Sequence, residues 1–185
     1  MRIAPSRIEL QYYSEQEPPE VIPGIREISR SGPAGLFVHP TDQERLIIAL
    51  EASGLERPSA LATTICHELG HVHLLADRRI SHDAEDCEPL TDLLTVYLGS
   101  GILTANAAIQ LGQWQDGQRQ GWSMSRQGYL SEALFGFALA CYSWYRGDLD
   151  AHWRRHLREN VAYYFDDSMH FLSTTNDTSI PFDGA

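Results

Sequence analysis

The five residues His67-Glu68-Leu69-Gly70-His71 constrain this chain more than any other stretch. On an α-helix, residues four apart are separated by about 40° around the axis and stand one turn apart. Both imidazoles therefore reach a single cation. Glu68 lies one step round the helix, beside that cation, where its carboxylate is placed to act as a general base on water. The surrounding pattern predicts the helix that the motif needs. Pro58 suits a first turn, and Leu61, Ile65, Leu69 and Val72 carry an apolar face on to about Ala76. A short motif gains its meaning from such a context. Two surface histidines flanking an ordinary glutamate is the blander alternative. His67 and His71 are thus read as zinc ligands and Glu68 as the catalytic carboxylate.

A catalytic zinc takes three protein ligands and leaves a fourth position open. Glu88 is the best candidate for the third. It opens the next predicted helix, and Asp92 follows one turn later on the same face, placed to accept a hydrogen bond from the far nitrogen of His71 or His67. Such a carboxylate fixes an imidazole's tautomer and raises its basicity. Acidic residues also gather at helix N-termini for reasons of the helix dipole alone. Asp77, six residues after His71, is the alternative third ligand, although Leu74 stands where a sharp turn toward it would favour glycine. His73 points to another face of the helix. His82 lies in the connection, and Cys66 and Cys87 are read as small buried hydrophobes.

The pair His67-Glu68-Leu69-Gly70-His71 and Glu88-Pro89-Leu90-Thr91-Asp92 resembles the gluzincin metallopeptidases, and the short chain is similar to their minimal members. The resemblance covers residues 58–98. It implies a zincin-like fold, with His67, His71 and Glu88 as zinc ligands, Glu68 as general base and Asp92 as the carboxylate behind a ligand imidazole. It also implies that the strand at Leu36–His39 holds an extended peptide by strand addition. The chain departs from the family in its short connection from His71 to Glu88 and in having no clear counterpart of the distal transition-state histidine. Tyr129, Tyr97 and His82 are candidate oxyanion donors. Tyr129 is the first choice because it ends a glycine-containing loop and begins a helix.

Elsewhere, Ile8, Leu10 and Tyr12 alternate with polar neighbours, as in a half-buried strand. Glu17-Pro18-Pro19-Glu20 reads as a loop, Ile25–Ile28 as a short strand and Gly35–His39 as a better one. Thr41 and Glu44 form a capping box for a helix expected to end at Ser53-Gly54. A helix begins near Pro89, Gly99-Ser100-Gly101 breaks it, and Ile102–Leu111 is expected to be helical. Residues 112–128 read as a long polar loop. Helices are expected over Tyr129–Tyr145 and Asp148–Phe165. Their aromatic residues Tyr142, Trp144, Tyr145, Trp153, Tyr163, Tyr164 and Phe165 are expected in the core or at helix contacts.

Composition narrows the partners. The 185 residues carry a net charge of -11, which disfavours nucleic acid and anionic membrane surfaces. Three cysteines and no leader-like apolar run suggest free thiols and a cytoplasmic location. The expectation is therefore an α+β, mostly helical domain over residues 1–172 with a small N-terminal sheet and a polar tail at 173–185. Its active-site helix and the following ligand-bearing helix would hold zinc and hydrolyse a peptide or protein substrate. The rival expectation is a zinc-binding regulatory domain that is inactive, or latent until a partner acts on it.

Overall fold

The structure, a computed structural model, describes residues 3–14, 35–38, 45–81, 83–116, 119–126, 128–175 and 179–181. They form an α+β, mostly helical architecture with a small three-stranded sheet. The chain divides into two compact units, Met1–Cys87 and Glu88–Ala185. No helix among the described residues is long and apolar enough to cross a membrane.

The first unit is built on a sheet of β1 (Ile8–Tyr13), β2 (Gly35–Val38) and β3 (Leu46–Glu51) in the order β1-β3-β2. β3 runs parallel to β1, with Ile8 opposite Leu46, and antiparallel to β2, with Gly35 opposite Leu50. This corrects the expected helix at 41–54. Leu46, Ile47, Ile48, Ala49 and Leu50 are all buried. A continuous apolar run covered on both faces makes a central strand, and over so few residues periodicity cannot separate it from a buried helix. The capping box of Thr41 and Glu44 and the strand at Ile25–Ile28 lie outside the described residues. In β1 the polar alternation was also misleading, since Leu10 and Tyr12 face outward and Tyr13 is the buried residue.

Helix α1 (Pro58–His71) starts on the proline, as its fixed φ favours. It continues without a break into a π-helical turn, Val72–Ala76. Leu61, Ile65 and Leu69 pack on Leu46, Ile48, Leu50 and Val72. These three side chains are partly buried, so each contributes a fraction of the about 1.5–3 kcal/mol of full burial.

In the second unit, α2 (Cys87–Tyr97) and α3 (Gly101–Ala107) are separated at Gly99, whose φ of 89° suits glycine. The expected helix over Ile102–Leu111 stops early, because Ile109–Asp116 is strand β4. It pairs antiparallel with β5 (Arg119–Arg126), Asp116 opposite Arg119, so the long loop expected at 112–128 is a hairpin. α4 (Glu132–Tyr145) is capped by Ser131, whose Oγ accepts from the Leu134 N–H at 3.2 Å.

The last helix, α5 (Glu159–Thr175), starts later than expected and runs three residues into the expected tail. Asn106 explains the late start. Its side chain donates to the His156 carbonyl at 2.7 Å and accepts from the Arg158 N–H at 2.8 Å, fixing an extended approach to the helix. α4 and α5 enclose the core of this unit, with Phe135, Leu139, Val161, Phe165 and Leu172 buried. The aromatic expectation holds for Trp153 and Phe165, whose rings meet edge to face at 5.1 Å. It fails for Tyr145 and Tyr163, which are exposed.

Candidate metal centre

His67 and His71 close α1, and their rings meet edge to face with centroids 4.8 Å apart. The helical spacing of four thus brings the imidazoles together as expected. Phe37 of β2 stacks beside His71 at 6.3 Å. Glu68 is 5% exposed and His71 7%. The π turn that follows His71 is a local deviation of a kind that recurs at functional sites.

Glu88 stands in the first turn of α2. One ligand atom from each of His67, His71 and Glu88 lies within 4.8 Å of the other two, and these residues form a group able to hold a metal ion. Two imidazole nitrogens and one carboxylate oxygen are a donor set that zinc accepts at a three-ligand site, so the residues present fit the group.

Asp77 belongs to a different cluster. Its carboxylate lies 3.5 Å from Arg7, 3.6 Å from Nδ1 of His73 and 4.0 Å from Arg79. The alternative third ligand therefore lies among Arg7, His73 and Arg79 and stands outside the metal-binding group. Neither Cys66 nor Cys87 belongs to that group either. Cys66 is half-buried and Cys87 buried. His82 lies outside the described residues.

Two further features frame the Glu68 carboxylate in the first unit. A Cβ built on Gly35 would meet Cγ2 of Thr64 at 2.4 Å and Oε1 of Glu68 at 3.0 Å. Only glycine lets β2 come this close to α1. Tyr13, 4% exposed, has its phenol pushed up to about 12, chiefly by burial and then by the negative charges of Glu51 and Glu68. It stays neutral where an ordinary tyrosine would have ionised. Neither residue stood out in the sequence. The one available signal was glycine at the head of an otherwise apolar strand.

In the second unit, Asp92 is 2% exposed, and its Oδ2 accepts from the main-chain N–H of Tyr129 at 2.6 Å and of Leu130 at 3.1 Å. Tyr129 is 57% exposed and Tyr97 66%. α2 turns a polar stripe inward, with Thr91, Asp92 and Thr95 buried, while Leu90, Leu93 and Tyr97 face out. Thr95 Oγ bonds the Asp92 carbonyl at 2.7 Å and Thr104 Oγ at 2.8 Å. The inward face of this helix is thus polar, with Val96 as its apolar member in the core. The spacing of Glu88, Thr91, Asp92 and Thr95, at helical period, was the signal for it.

Comparison of the chain with protein-family models, with curated proteins and with solved structures gives no match.

Proposed function

We propose that this chain is a zinc-dependent peptidase of gluzincin type. The observation that carries the reading is the convergence of His67, His71 and Glu88, with the buried carboxylate of Glu68 on the same helix. A purely structural metal site has no use for a buried carboxylate there.

His67, His71 and Glu88 would hold the ion, which when bound supplies Lewis acidity toward a carbonyl and lowers the pKa of water. Glu68 takes a proton from the attacking water as its oxygen bonds to the carbonyl carbon. It returns that proton to the amine nitrogen as the C–N bond breaks. Tyr129 donates to the oxyanion, and Asp92 orients a ligand imidazole. β2 is the end strand of the described sheet and lies against Glu68 through Gly35. Its outer edge suits an extended peptide added as a further strand.

The test pairs metal analysis with a peptide-library cleavage assay. The wild type binds about one zinc per chain and cleaves. Glu68→Gln keeps the zinc and loses cleavage by about a hundredfold or more. Cleavage by Glu68→Gln at the wild-type rate removes Glu68 as the base. A zinc-loaded wild type that cleaves nothing in the library favours the regulatory-domain alternative.

A further inference from the structure

We infer that Asp92 is a positioning residue for Tyr129, mounting the turn that carries this tyrosine on the helix that presents Glu88. The inference rests on the peptidase reading for its consequence, but the mount itself does not. One oxygen of Asp92, Oδ2, receives two successive main-chain N–H groups, from Tyr129 and Leu130. The carboxylate is nearly sealed from solvent, so these charge-assisted bonds face little competition from water. Gly128 makes the approach possible. Its φ is 94°, and a Cβ there would stand 3.0 Å from the same Oδ2.

The turn cannot drift on its other side either. Leu130 packs against the core of the second unit, and Ser131 caps α4 directly after it. Asp92 is in turn fixed from behind, its carbonyl taking the Thr95 hydroxyl within the Thr95–Thr104 pair. Tyr129 is therefore the one exposed member of a turn held at both ends. Glu88 and Asp92 share one helix, so the placement of Tyr129 is referred to the helix that bears the third metal ligand. An oxyanion donor works only when pre-set within a few tenths of an ångström of its acceptor, and a tyrosine on a loose loop would not be.

Amide hydrogen exchange of the full-length, metal-free chain tests the mount without any assay of activity. In the wild type the amides of Tyr129 and Leu130 are protected. Asp92→Ala lowers their protection about tenfold or more, the usual effect of removing a charged acceptor, while protection within α4 and α5 is kept. Asp92→Asn, which retains an acceptor oxygen, restores most of it. Gly128→Ala disturbs the same two amides from the other side and serves if Asp92→Ala fails to fold.

With zinc bound, Asp92→Ala and Tyr129→Phe should each lower kcat more than they raise KM, and the double variant should be little worse than Asp92→Ala alone. Three outcomes overturn the inference. The two amides exchange alike in wild type and Asp92→Ala, or protection falls evenly through α4 and α5, or the kcat losses of the two variants add. If the wild type proves inactive on every peptide, the peptidase reading fails while the exchange result still decides the mount.

Discussion

Tyr13 ends β1 opposite Glu51 of β3 and is almost wholly buried. Its phenol ionises near 12 in the folded protein, for burial first and the carboxylates of Glu51 and Glu68 second, against about 10 in an unfolded chain. The sign of the linkage follows. Between about pH 10 and 12 the unfolded chain has lost this proton and the folded chain holds it, so stability falls as pH rises through that window. Below pH 10 both states hold the proton and the contribution is intact. Tyr13→Phe cannot titrate and should lose less stability there, by roughly 1–2 kcal/mol. Urea unfolding of both proteins at pH 9 and near pH 11.5 measures the difference. Parallel decline of the two would show that Tyr13 ionises no later in the folded state than in the unfolded one.

Between elements, the decisive contact in the first unit is β2 against α1 at Gly35. A methyl group there collides with Cγ2 of Thr64 and crowds Oε1 of Glu68. Gly35→Ala should therefore destabilise the chain by about 1–3 kcal/mol, the usual cost of overpacking. Thr64→Ser deletes the colliding methyl and keeps the hydroxyl that donates to the Ala60 carbonyl. It should recover much of the loss when combined with Gly35→Ala, as a double-mutant cycle in urea would show. Equal costs of Gly35→Ala in both backgrounds would mean that the strand yields elsewhere. The same contact shows what was legible in the sequence. The motif His67 to His71, Pro58 at the start of α1 and the Glu88 and Asp92 spacing are local patterns, and local patterns fix helix faces. Gly35 meeting Glu68, and Asp92 meeting residues 129 and 130, join segments far apart along the chain, and no periodicity encodes such a meeting. β3 is not legible as a strand, because its five consecutive buried residues have no polar side to reveal a period of two. The β4–β5 hairpin pairs Asp116 with Arg119 across only two intervening residues, a connection too short to stand out from the polar composition around it.

For the molecule as a whole, the excess of eleven negative charges complicates any claim of specific metal binding, since an acidic protein gathers divalent cations loosely over its surface. Specific and diffuse binding differ in what they do to stability. An ion held only by the folded state stabilises it by mass action, by about 2.7 kcal/mol at a free concentration a hundredfold above Kd. Diffuse attraction is screened by salt and is blind to which carboxylate is removed. Thermal unfolding of the chelator-treated protein, titrated with zinc at fixed ionic strength and with magnesium as the control, separates them. Zinc should raise the unfolding midpoint and magnesium should scarcely move it, because the nitrogen donors favour zinc over an ion that prefers oxygen. Glu88→Ala should remove most of the zinc-induced rise, since it deletes one of three converging donors. Asp77→Ala should lower the midpoint of the metal-free protein slightly, through Arg7, His73 and Arg79, and leave the zinc-induced rise intact. A rise abolished by Asp77→Ala and kept by Glu88→Ala would move the third ligand to Asp77, and the peptidase proposal would then need a site of different geometry.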